Sequence, residues 1–194
     1  MALNLQKGQK IDLTKGNAGL KKVIVGLGWD AVGGGVATRS LSIDCDAMAV
    51  LLQSGRFVDN ADLVSFKNLN HISGCVNHKG DNLTGAGEGD DEQIVVDLAS
   101  MPERYDRVVF AVVIYMALAK KQTFGMIKNA FIRIINADNN QELCRYNLSD
   151  DPSYADKTDM LFGELYRHNG EWKFNAIGEG VIEGSVEKVA LRFA

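Results

Sequence analysis

Short runs of β-branched and aromatic residues recur along this chain, each closed off by Gly, Asn or Asp. They fall at 22–27, 47–52, 63–66, 94–98, 107–116, 130–135, 142–148, 160–166 and 172–177. Several alternate with period two: Phe131, Arg133 and Ile135 face one way, Ile132 and Ile134 the other. That period belongs to strands with two unlike faces, and many short strands at regular spacing predict an all-β sandwich or barrel. Residues 136–140 read as a hairpin loop, and His168-Asn169-Gly170-Glu171 carries the Asn-Gly signal of a two-residue hairpin. Helical periodicity is scarce: 117–129 has room for one or two turns, and 185–193 fits strand or short helix equally by pattern. With no linker or composition shift, residues 1–194 are read as one domain.

Composition narrows the class. The chain is 46% apolar and 24% charged, ordinary for a globular protein with its own core. The net charge of -4 argues against a nucleic-acid partner, which calls for a basic surplus. The longest apolar run, 108–119, has twelve residues and ends at Lys120 and Lys121. A spanning helix needs about 20, so no integral membrane protein is expected. Cys45, Cys75 and Cys144 are odd in number and no secretory signal precedes them. Free thiols in a reducing, cytoplasmic setting follow, with Cys45 and Cys144 buried in strands.

Glycine is abundant at 20 residues, and four of these lie in one acidic stretch, 80–92. Asp81, Glu88, Asp90, Asp91 and Glu92 crowd together there with no basic residue, and Asn82 and Thr84 add side-chain oxygens. Like charges in one loop repel, and a hard divalent cation relieves them. Calcium takes six to eight oxygen ligands from carboxylates, amides and carbonyls. Segment 81–92 has the twelve-residue length of an EF-hand loop, but Leu83 and Gly85 occupy its ligand positions and no helices flank it. A solvated acidic hairpin loop is the competing explanation. A second pair, Asp44 and Asp46, shares one face of a strand, and Asp30 follows Gly26-Leu27-Gly28-Trp29 at a strand end.

Other chemistries are less well served. Residues 33–39 are glycine-rich but lack the Lys-Ser/Thr of a phosphate-binding loop. His71, Cys75 and His78 are zinc ligand types without an evident fourth. No cysteine sits in a Cys-x-x-Cys motif, and Glu164 and Glu171 flank the Asn-Gly turn, where a cross-strand or solvated role fits better than acid-base catalysis. Tyr166, Trp172 and Phe174 read as hairpin core, and Arg133, Arg145 and Arg167 as a solvent-facing side.

Taken together, Lys7-Gly8, Leu13-Thr14-Lys15, Gly26-Leu27-Gly28-Trp29-Asp30, the stretch 78–85 beginning His78-Lys79-Gly80-Asp81, Gly89-Asp90-Asp91-Glu92, Gln122-Thr123-Phe124-Gly125, Asn129-Ala130-Phe131-Ile132-Arg133 and the stretch 163–174 resemble the TerD family of tellurium-resistance and general stress proteins. The resemblance runs from Leu3 to about Gly180. It implies a β-sandwich with short helical segments, calcium binding through acidic loops, and no enzymatic activity. By this resemblance Asp81, Asn82, Thr84, Glu88, Asp90, Asp91 and Glu92 form the ligand pool of the loop, with Asp30, Asp44 and Asp46 completing or extending it. It also implies partners among other tellurium-resistance proteins, including membrane-bound ones.

The match is not uniform. The family's Asp-Phe-Asp-Leu-Asp is here Ser42-Ile43-Asp44-Cys45-Asp46, and its Ile-His-Asp-Ala is Ile114-Tyr115-Met116-Ala117. Two acidic positions are therefore lost, Glu88 replaces an aspartate, and the tail after Gly180 departs from the family's ending. The expectation is a non-enzymatic, calcium-dependent interaction module of the stress response. A divergent paralogue with one metal site lost, acting as a scaffold, comes second. An enzyme on a small oxyanion or nucleotide comes third.

Overall fold

The computed structural model describes residues 2–30, 43–80, 89–148 and 151–194. Its strands are β1 (Leu3–Leu5), β2 (Lys10–Asp12), β3 (Lys22–Asp30), β4 (Cys45–Gln53), β5 (Leu63–Val64), β6 (Val76–His78), β7 (Glu92–Asp97), β8 (Tyr105–Ile114), β9 (Lys128–Asn136), β10 (Glu142–Asn147), β11 (Asp159–His168) and β12 (Glu171–Val181). They form two six-stranded sheets, ordered β1-β10-β9-β3-β7-β6 and β2-β12-β11-β8-β4-β5. The chain is a mainly β protein, a β-sandwich with a few short helical segments.

Alternation decides which side chains meet between the sheets. Val23, Val25 and Leu27 of β3, Ile94 and Val96 of β7 and Ile132 and Ile134 of β9 pack against Ala47, Ala49 and Leu51 of β4 and Val108, Phe110 and Val112 of β8 in one buried cluster. β4 and β8 are buried on both faces, which is why they read as continuous apolar runs. Their other face carries Met48, Val50, Val109, Ala111 and Val113 and is covered by helix α2 (Val186–Leu191) through Val186, Val189 and Ala190. The ambiguous segment 185–193 is thus helical. Ser185 caps it by accepting from the Lys188 N–H, and apolar residues at i, i+3 and i+4 meet the sheet.

The Asn-Gly hairpin forms as expected: Asn169 and Gly170 both have left-handed φ, 54° and 79°, between the paired His168 and Glu171. Segment 117–129 holds a single turn, α1 (Ala117–Lys120), and a tight turn at Phe124–Met126. No helix among the described residues is long and apolar enough to cross a membrane.

All three cysteines are free and buried. Burial pushes the Cys144 thiol up to about 12, and burial together with Asp44, Asp46, Glu92 and Asp91 raises that of Cys45 well above its ordinary value. Both stay as thiols at pH 8. They are expected to resist DTNB in the folded chain and to react on unfolding in guanidinium chloride; rapid reaction of either in native buffer would contradict this burial.

Candidate metal centre

Strand register gathers the acidic residues at one end of the sandwich. β3 ends at Asp30 beside the start of β7, where Leu27 pairs with Glu92. β8 ends beside the start of β4, where Cys45 pairs with Ile114 and the Tyr115 N–H donates to the Asp44 carbonyl at 2.8 Å. Glu92 joins the two sheets there: its Oε2 accepts from the Ala47 N–H of β4 at 2.6 Å. His78 Nδ1 accepts from the Gly80 N–H, which turns Nε2–H toward Glu92 Oε2 at 3.4 Å. Both side chains are sealed from solvent.

The two neighbouring aspartates have opposite fates. Asp90 lies on the outer face of the first sheet, in the row where Gly26 pairs with Arg133 on one side and Gln93 on the other. Arg133 Nε donates to Asp90 Oδ1 at 2.6 Å and Gln93 Nε2 to Oδ2 at 2.9 Å. The carboxylate rests on Gly26, and a Cβ there would collide with it. Gly28 does the same for the Phe131 ring, over which the Arg145 guanidinium stacks at 3.6 Å. These contacts explain the glycines of the Gly26-Leu27-Gly28 motif, which the sequence placed at a strand end before Asp30. Gly26→Ala is expected to push Asp90 off Arg133 and destabilise the fold by about 1–3 kcal/mol in a denaturant titration; an unchanged midpoint would contradict this packing.

The Asp91 N–H donates to the Leu27 carbonyl and its Oδ2 accepts from the Trp29 N–H, both at 2.8 Å. Burial raises its carboxyl above the usual range, the Trp29 N–H opposes that, and the charges of Asp30 and Asp90 add to it. Asp30 accepts from Asn129 Nδ2. Around Cys45, alternation turns Asp44 and Asp46 to the face opposite the inter-sheet core, and Asp46 pairs across the sheet with Val113.

Two acidic groups thus share this end: Asp30 with Asp90 and Asp91, and Asp44 with Asp46. Asp81, Asn82, Thr84 and Glu88 lie outside the described residues, as do Ser42 and the glycine-rich 33–39. Among the described residues no three Asp, Glu, His or Cys side chains lie close enough to hold an ion. The carboxylates at this end offer oxygen donors, the kind a hard divalent ion takes. Asp90 and Glu92 serve as anchors that fix the strand ends. Asp30, Asp44, Asp46 and Asp91 are the other carboxylates described at this end.

The other candidates have structural employment. His71 Nε2 faces Asp62 Oδ1 at 3.2 Å, Tyr105 OH donates to the same oxygen at 2.6 Å, and His71 Nδ1 meets Ser73 Oγ at 2.7 Å. Cys75 Sγ donates to the Ser100 carbonyl. His71 and Cys75 are both tied to Ser73 and His78 faces Glu92, and among the described residues no three such side chains lie close enough to hold a metal ion. Glu164 spans strands to Arg107 at 2.8 Å and Asn175 at 2.9 Å. Arg133, read as a solvent-facing residue, is three-quarters buried because Asp90 and Glu142 hold it. That pairing depends on register, which residue spacing does not reveal.

Comparison with known proteins agrees with this architecture. The family model of the TerD domain matches residues 1–193. "Stress response protein SCP2" of Bacillus subtilis is 49% identical over 200 residues, covering 100% of each chain. "Tellurium resistance protein TerD" of Serratia marcescens is 45% identical over 185 residues, covering 95% of this chain and 93% of its own. The crystal structure of a homologue of telluride resistance protein TerD from Streptomyces coelicolor A3(2) superposes with a TM-score of 0.69 at 23% identity, over 91% of this chain and 99% of that one, and shares the fold. By sequence along its length, the chain belongs to the TerD family of tellurium-resistance and stress-response proteins.

Proposed function

We propose that this protein is a non-enzymatic, cytoplasmic calcium-binding protein of the stress response, acting as a calcium-dependent interaction module. The observation that carries this reading is the acidic end of the sandwich, where Asp91 is held beside Asp30 and Asp90 and its carboxyl is raised. Asp30 and Asp91 would hold the ion together with Asp81, Asn82, Thr84 and Glu88, and Asp44 and Asp46, on the other sheet, would extend the site. A bound calcium ion supplies charge and cross-links loop oxygens to the strand ends. The chain's own residues do the rest: Arg133 and Gly26 fix Asp90, Glu92 ties β7 to β4, and the rigid sandwich presents the loops. An ordered, charge-neutralised end would then engage other tellurium-resistance proteins, membrane-bound ones among them.

Met116 bears on stoichiometry. It stands half exposed, with left-handed φ of 57°, where the family pattern has an acidic residue. This favours a paralogue with one of two sites lost, keeping the other. Calorimetric titration of the chelator-treated full chain tests both points. One calcium per chain is expected, and Asp91→Asn or Asp30→Asn should weaken it at least about tenfold, the loss of a charged ligand being worth over 1.4 kcal/mol. No heat and no bound metal would overturn the reading.

A further inference from the structure

At the end of the sandwich away from the acidic residues, a cavity of about 320 Å3 opens among Thr14, Leu20, Leu98, Arg167, Gly170 and Trp172. Leu98 follows the end of β7, and Gly170 belongs to the hairpin turn joining β11 and β12. Every polar group of Trp172 is employed here. Its N–H donates to Thr14 Oγ1 at 3.0 Å, its carbonyl accepts from the N–H groups of Leu13 and Thr14, and its indole N–H donates to the Leu98 carbonyl at 3.2 Å. The indole is thus a fixed wall.

Arg167 differs. Its guanidinium stacks on the indole, 4.9 Å from the ring centroid, and Nη2 donates to the Met101 carbonyl at 2.5 Å. Nε is buried and has no acceptor among the described residues. Arg107, Arg133 and Arg192 each face a carboxylate within 4 Å, whereas Arg167 meets none among the described residues. A guanidinium carries five N–H donors in a planar fork suited to oxyanions. Here it is oriented by stacking and by one carbonyl, beside a cavity whose lining contains no acidic side chain. An apolar guest would leave this cation's donors unused, and a metal ion would be repelled by it.

We propose that this cavity binds a small oxyanion, the phosphate or carboxylate group of a small molecule, with Arg167 as its cationic anchor. The site is independent of the calcium reading, from which it is separated by the length of the strands.

The test is a titration of the isotope-labelled full chain with inorganic phosphate and, separately, with acetate, against chloride at matched ionic strength, followed by NMR. Saturable shifts confined to the Trp172 indole N–H, Gly170 and the Arg167 Nε–H are expected, and whichever anion saturates at lower concentration identifies the group. Arg167→Gln should weaken binding roughly tenfold or more, the scale of a lost hydrogen bond to a charged group. Shifts that never saturate, that chloride reproduces, or that spread over the surface lysines would overturn the proposal. Unchanged binding by a folded Arg167→Gln would do so too. If that variant fails to fold, the wild-type shift map decides alone.

Discussion

Replacing Arg133 by alanine is expected to cost about 2–4 kcal/mol of folding stability, somewhat below the roughly 3–5 kcal/mol for breaking a fully buried ion pair because water reaches the arginine side. The reason lies in what is left behind. The Asp90 side chain is 1% exposed, and Arg133 Nε at 2.6 Å is its counter-charge. Without it the carboxylate keeps the Gln93 amide but stays desolvated on Gly26. Glu142, bonded to Nη1 at 3.0 Å, loses less because it is one-quarter exposed. Arg133→Lys retains a charge without the fork geometry and should fall between wild type and alanine. Denaturant midpoints measure the series. An Arg133→Ala protein as stable as wild type would mean that Asp90 is not anchored through Arg133.

Glu92→Ala is expected to be at least as damaging, at about 3–5 kcal/mol, because a buried carboxylate that joins two sheets is removed. The Ala47 N–H and the His78 Nε2–H both turn to Glu92 from buried positions, and alanine leaves each without it inside a new cavity. Glu92→Gln preserves an oxygen for Ala47 and should recover part of the loss. Hydrogen exchange at the Ala47 amide localises the effect: faster exchange there in Glu92→Ala follows from the lost bond, and unchanged protection would contradict the cross-sheet tie. Both substitutions act on the scaffold of the acidic end, so they are expected to weaken calcium binding only through looser strand ends.

The strands were legible wherever alternation was long enough to speak. β12 alternates cleanly between buried and half-buried positions, β9 alternates in direction but also buries Phe131 and Ile135 on its outer face, and β4 and β8 stand out because both faces are covered. β1, β2 and β6 escape such reading: each has three residues, too few to show a period, and each lies at a sheet edge held by its neighbour's register. The helix α2 was undecidable from pattern because Val186, Val189 and Ala190 acquire their meaning only from the apolar outer face of the second sheet beneath them.

The acidic end was legible as a pool of carboxylates but not as a division of labour. Asp90 and Asp91 are adjacent in sequence and equivalent in chemistry. One is neutralised by Arg133 because Gly26 pairs with Arg133 across β3 and β9. The other accepts from the Trp29 N–H, and burial raises its carboxyl, with the charges of Asp30 and Asp90 adding to the rise. Glu92, in the ligand pool by sequence, joins the sheets, because alternation along β7 turns it inward with Ile94 and Val96. Such roles depend on contacts between residues about forty or more positions apart, which local spacing does not encode.

The central claim, that this end of the sandwich holds calcium, is most directly tested by the melting temperature of the chelator-stripped full chain with and without calcium. At a hundredfold excess over Kd, linkage stabilises the folded state by about 2.7 kcal/mol. For a chain of this length that corresponds to a rise of roughly 5–10 °C. Magnesium at the same concentration should give much less, since the smaller ion demands tighter octahedral geometry. An upward shift with calcium, diminished by Asp91→Asn, is the predicted result. A melting temperature unmoved by millimolar calcium would contradict the account.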